Sequence, residues 1–143
     1  MKVRYGIALV LGLTFFISGC TSRDEVSRVT SPDGRVDAIV FENNCGAPCS
    51  FGYEVELAAK GSRRGDEVAS LEGASRNEQA WGINVRSSGP DELSVEYFKA
   101  DNARLLTRTV AIGGRNVAVS LHNGVKDPTA PAGGMLYNLK QRN

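Results

Sequence analysis

The sequence predicts an all-β fold, a small antiparallel sandwich or barrel of about seven strands. Apolar residues recur every second position almost throughout, the period of a half-buried strand. Turn signals separate these runs at short intervals, and no segment carries an i, i+3, i+4, i+7 apolar stripe with caps. Short strands at that spacing suit a sandwich or barrel.

At the N-terminus Lys2 and Arg4 precede a twelve-residue weakly polar to apolar run, Gly6 to Ile17. This has the length of a secretory leader and falls short of the roughly 20 residues a helix needs to cross hydrocarbon. Residues 1–19 are therefore expected to be a cleaved signal peptide. Residues 20–28 are polar from Thr21 on and read as a tether, and 29–143 as a single all-β domain. Loss of 19 of the 143 residues leaves 124, a length for one core.

In chain order, Arg35 to Phe41 is apolar on both sides in part and is a candidate central strand. Phe51, Tyr53, Val55 and Leu57 alternate with Gly52, Glu54, Glu56 and Ala58. Trp81, Ile83 and Val85 follow the same pattern, as do Leu93, Val95 and Tyr97, and later Val117, Val119 and Leu121. Arg104 to Ile112 is a second candidate central strand. Ser31-Pro32-Asp33-Gly34, Gly89-Pro90-Asp91-Glu92, Gly113-Gly114-Arg115-Asn116 and Asp127-Pro128 are the turns, because proline presets φ and glycine admits positive φ. The basic stretch Lys60 to Gly65 reads as a solvated hairpin tip.

The boundary Ile17-Ser18-Gly19-Cys20 resembles the bacterial lipobox, an aliphatic residue and two small residues before a cysteine. The resemblance implies that Cys20 is lipidated and becomes the first residue of a chain anchored in the cell envelope. Two or three acyl chains hold firmly where one binds marginally. Thr21 stands where an Asp tends to retain such proteins at the inner membrane, which implies the outer membrane, facing the periplasm. Lys2 and Arg4 leave with the leader, so the 17 basic residues become 15 against 16 acidic. That balance gives no reason to expect nucleic acid as a partner.

Three further resemblances bear on the mature chain. Ser-Pro-Asp-Gly-Arg from Ser31 resembles the start of a periplasmic β-propeller blade, but 124 residues with one full copy and one loose echo cannot close a ring. That segment as far as Ala47, with Ser50 to Leu57, Trp81 and the Leu93 to Tyr97 strand, is similar to small bacterial envelope proteins of uncharacterised function. Cys45 and Cys49 with the single histidine, His122, resemble the copper-delivery proteins of cytochrome oxidase assembly. Two thiolates and an imidazole suit copper. Ser50 stands where those proteins carry proline, and their thioredoxin-like fold differs from this strand pattern.

In an oxidising envelope Cys45 and Cys49 are the even pair left once Cys20 is lipidated, and a structural disulfide across a hairpin neck is expected. The spacing is wrong for c-type haem and for thioredoxin-like redox motifs. The chain lacks a nucleophile elbow, P-loop or H-E-x-x-H. Asp66, Glu67, Asp91 and Glu92 are assigned to turns, and Trp81 and Tyr97 to the core in preference to a ligand platform. The expectation is a lipid-anchored protein with a non-enzymatic binding or structural role and no cofactor. The alternatives are an inhibitor or immunity lipoprotein against an envelope-directed hydrolase or toxin, and a copper-binding or redox accessory protein.

Overall fold

The computed structural model describes residues 22–46, 49–74 and 82–125. The expected leader, Cys20, Trp81, the Ala47-Pro48 centre of the cysteine loop and the Asp127-Pro128 turn lie outside the described residues. Nine strands are described: β1 (Ser22–Thr30), β2 (Val36–Asn44), β3 (Gly52–Ala59), β4 (Asp66–Glu72), β5 (Asn84–Gly89), β6 (Glu92–Glu96), β7 (Asn102–Leu105), β8 (Thr109–Ile112) and β9 (Arg115–His122). They form a five-stranded sheet, β1-β2-β3-β4-β7, and a four-stranded sheet, β5-β6-β9-β8. The all-β sandwich is as expected, with nine strands described in place of about seven and one parallel pair, β6 with β9.

Three segments depart from the sequence reading, each for a physical reason. The expected tether is most of β1, paired with β2 from Ser22↔Asn44 to Thr30↔Asp37. A bulge at Val26, between Glu25 and Ser27, breaks its alternation and turns Val26 into the core. Asp66 and Glu67 open β4 instead of lying in a turn. There the register shifts opposite Val55/Glu56, and the adjacent Val68 and Ala69 are both fully buried. The expected central strand Arg104 to Ile112 is two strands, β7 and β8, at the edges of different sheets. Between them the Leu106 N–H donates to the Val68 carbonyl in one sheet, and the Arg108 carbonyl accepts from Val119 N–H in the other. Leu106 itself is half exposed.

The inner faces of both sheets supply one core. Val36, Ala38, Val40, Tyr53, Val55, Leu57, Val68 and Leu71 meet Val85, Leu93, Val95, Val110, Val117 and Val119. Each valine or leucine among them contributes about 1.5–3 kcal/mol on burial. Tyr97 packs partly buried against this core, as its place in an alternating strand predicts.

β2 is buried on its outer face as well, where Ile39, Phe41 and Ala58 form a second apolar cluster. Ion pairs from β1 reach across β2 toward β3. Arg23 bonds Glu54 at 2.7 Å and Glu56 at 2.6 Å, with its guanidinium 3.6 Å from the Phe41 ring centroid. Farther along, Arg28 bonds Glu25 at 2.7 Å and Asp37 at 3.0 Å, and donates to the Ser62 carbonyl.

Asp37 is almost fully buried. It accepts from Thr30 Oγ1 at 2.7 Å and Gly61 N–H at 2.9 Å, with Lys60 Nζ 3.5 Å away. Burial by itself would raise its carboxyl, but the Gly61 N–H, the Thr30 hydroxyl, Arg28 and Lys60 outweigh burial and lower it to about 2. The folded value lies below the unfolded one, near 3.9, so the stabilisation is present above about pH 4 and lost as pH falls toward 2. Its size is about 2 kcal/mol.

The four tight turns share one end of the sandwich. Lys60 N–H donates to the Arg35 carbonyl at 2.9 Å, joining the β1–β2 and β3–β4 turns. Arg115, beside the two-glycine β8–β9 turn, forks onto Asp33, with Nη2 to Oδ1 at 2.7 Å, and its Nε lies 3.3 Å from Asp91 in the β5–β6 turn. The Arg115 fork, chief among the groups bonding Asp33, holds that carboxyl well below the usual carboxylate range. The exposed Lys60 to Gly65 tip belongs to this end, as the sequence predicts.

Asp37→Asn is expected to lower unfolding free energy at neutral pH by about 2 kcal/mol and to flatten the acid limb between about pH 4 and 2. Urea titrations across that range measure both, and an unchanged acid limb in the variant would assign it to another carboxylate.

Candidate functional site

At the opposite end from the turns the register runs Ser22↔Asn44, Asn43↔Gly52, Gly52↔Glu72 and Glu72↔Asn102 across the five-stranded sheet. The longer connections meet here. Gly73 N–H donates to the Phe51 carbonyl and Asp101 N–H to the Glu72 carbonyl, at 3.0 and 2.9 Å. Between them opens a cleft of about 710 Å³, with Arg23, Asn43, Ser50, Tyr53, Glu72 and Asp101 on its walls beside Cys45 and Cys49.

Each wall has a local cause. The loop after β2 turns because Asn44 Oδ1 accepts from Gly46 N–H at 2.9 Å, and Cys49 N–H then donates to the Gly46 carbonyl at 3.1 Å. That places Cys45 and Cys49 with Cα atoms 5.7 Å apart and sulfurs at bonding distance, the staple the sequence predicts. Tyr53 forms the floor, its ring fully buried and its hydroxyl donating to Glu42 Oε2 at 2.9 Å. Gly73 sits at φ +61°, where an added Cβ would lie 2.0 Å from Asp101 Oδ2. Only glycine leaves Asp101 its place at the cleft rim.

Electrostatically the cleft is acidic, its lining holding Glu54, Glu72 and Asp101 against one arginine. Its cation, Arg23, is engaged by Glu54 and Glu56, and Asn43 Nδ2 donates to the other oxygen of Glu54 at 2.6 Å. Burial works against the charge of Arg23, but these two carboxylates outweigh it and raise its pKa further. On the same outer face Glu67 is raised, first by burial and then by the Glu54 and Glu56 charges. The walls thus offer hydroxyls, amides and carboxylates over an aromatic floor, a set that hydrogen-bonds a ligand or a peptide segment.

The remaining sequence-predicted residues lie elsewhere. His122 ends β9 in the four-stranded sheet, exposed, with Nε2 3.0 Å from Ser120 Oγ. It therefore lies in a different sheet from β2 and β3, the strands that flank the Cys45–Cys49 loop. Glu96, in register with His122, is bonded to Arg86 at 3.0 Å. Among the described residues no group of three or more His, Cys, Asp or Glu side chains could hold a metal ion. Asp91 lies at the turn end beside Arg115 and Glu92 opens β6, both away from the cleft.

Sequence reasoning did not single out Arg23 or Asp101. The polar face of β3, Glu54 and Glu56, is the signal that calls for a cation on a neighbouring strand. No protein-family model, curated protein or solved structure matches the chain.

Two outcomes test this site. Replacing Cys45 and Cys49 together by serine is expected to cost at most about 2 kcal/mol, the loop-entropy value for about five enclosed residues. In the parent protein, alkylation under denaturing conditions should label the pair only after reduction. Gly73→Ala is expected to cost about 1–2 kcal/mol through left-handed backbone strain, measured by thermal or urea unfolding. Unaltered stability would show that this corner relaxes.

Proposed function

We propose that this chain is a lipid-anchored protein of the bacterial cell envelope, held by an acylated Cys20, whose β-sandwich binds a partner or ligand and does not catalyse. The observation that carries the reading is Ile17-Ser18-Gly19-Cys20, placed after a basic start and an apolar run of signal length. Thr21 favours the outer membrane, facing the periplasm. The bonded pair Cys45–Cys49 accords with an oxidising compartment, where two near cysteines persist as a disulfide.

The binding role draws support from the cleft. A catalytic site needs a nucleophile or acid–base pair at matched pKa and within hydrogen-bond reach. The serines that line this cleft, Ser22, Ser50 and Ser70, have no histidine beside them. The cleft's arginine is already neutralised by two carboxylates. Such walls suit recognition by hydrogen bonds, and the surplus of carboxylates, Glu72 and Asp101 beside the paired Glu54, favours a neutral or cationic group over an anionic one.

The test is Cys20→Ala in cells. The parent is expected to take up an acyl label and to sediment with membranes, and the variant to lose both. Unchanged membrane partitioning in the variant would overturn the anchor.

A further inference from the structure

The following inference rests on the anchored reading. Ser22 is both the first residue of β1 and a wall of the cleft. Cys20 precedes it by two residues, which span about 7 Å even at full extension. Each headgroup layer of a bilayer is roughly 5–8 Å thick, the difference between the whole membrane and its hydrocarbon core shared between two faces. A lipid-bearing Cys20 therefore holds Ser22 at the outer boundary of the headgroups. Since β1 is a paired strand and not a tether, this short leash transmits position to the whole sandwich.

We infer that the disulfide end is a membrane-apposed face, with the mouth of the cleft opening at the lipid headgroup layer. The four-turn end, with exposed Arg63 and Arg64, lies along strands of eight or nine residues, close to 30 Å away at about 3.3 Å per residue. Whatever the tilt of the domain, the cleft rim that Ser22 itself forms stays beside the lipid. The leash enforces this placement without help from charge. On this end Glu72 lies 3.8 Å from Arg104 and Asp101 is exposed, and the described residues present no basic cluster to anionic lipid. Apposition is therefore independent of ionic strength, unlike that of a polybasic surface.

The cleft accordingly meets the polar heads of lipids at the membrane surface. A soluble periplasmic partner meets the turn end first.

The test uses the full chain, expressed with its leader and kept in its native membrane. A benzophenone amino acid is placed singly at Ser50 or Asp101 on the cleft rim, or at Arg64 or Asn116 on the turn end, and adducts are read by mass after irradiation. Lipid adducts are expected at positions 50 and 101, undiminished in high salt, and not at 64 or 116. An insertion of about ten Gly/Ser residues between Thr21 and Ser22, which adds roughly 35 Å of reach at full extension and about 16–19 Å on average, should sharply reduce those adducts and leave acylation intact. An acylated chain with adducts equal at both ends, or lacking at 50 and 101, overturns the apposition while the anchor stands. A chain that carries no acyl group overturns both.

Discussion

Burying β2 on both of its faces is the constraint from which most of the structure follows. A central strand of a sandwich ordinarily meets the opposite sheet on one side and water on the other. Here Val36, Ala38 and Val40 enter the inter-sheet core, while Asp37, Ile39 and Phe41 on the other face are buried too. Long charged side chains can cover apolar surface while their heads remain partnered, and Arg23 over Phe41 does so. This cover requires a strand on each side of β2, one carrying cations and the other carboxylates. β1 and β3 are those strands.

The bulge at Val26 makes that cover geometrically possible. Arg23 and Arg28 are five residues apart, an odd separation that in a regular strand would send them to opposite faces. The extra residue restores both to the outer face, Arg23 opposite Asn43 and Arg28 opposite Ile39. It also sends Val26 inward, so one irregularity serves the core and the ionic face together. A bulged, charged edge strand is a poor template for pairing with another chain, which protects this side of the sheet.

Legibility in the sequence divides along the same line. Segments whose alternation is unbroken, β3, β6 and β9, were readable from period alone, and the run of apolar residues after Arg35 declared β2 central. The turns were readable because Pro32, Pro90 and the Gly113-Gly114 pair have few other backbone uses. β1 and β4 were hidden by bulges, since Val26 and the Val68-Ala69 pair break the period of two that marks a strand. β7 and β8 were fused because Leu105, Leu106, Val110 and Ile112 look like one apolar run. Residues 106–108 in fact carry the chain from one sheet to the other. The disulfide needed only the spacing of Cys45 and Cys49, while the cleft depends on long-range register among β1, β2, β3, β4 and β7, which no local pattern encodes.

The two ends of the sandwich differ in how they are held, and that difference bears on where binding can occur. At the turn end, short hairpins are locked by Arg115 onto Asp33 and by Asp37 onto Gly61. At the entry end the connections are longer, and a covalent staple fixes only the loop after β2. Asp101 is held there by its backbone and by the space that Gly73 leaves. Stability is lowest where backbone hydrogen bonds are fewest and contacts most exposed, and ligand sites are drawn from such regions. The cleft lies at that end, between a stapled loop and a glycine corner, over the buried Tyr53 floor. Tyr53 below is fully buried and bonded to Glu42, whereas Ser50 and Asp101 at the rim are exposed, so the core sets the shape of the cleft and the loops set the chemistry it presents.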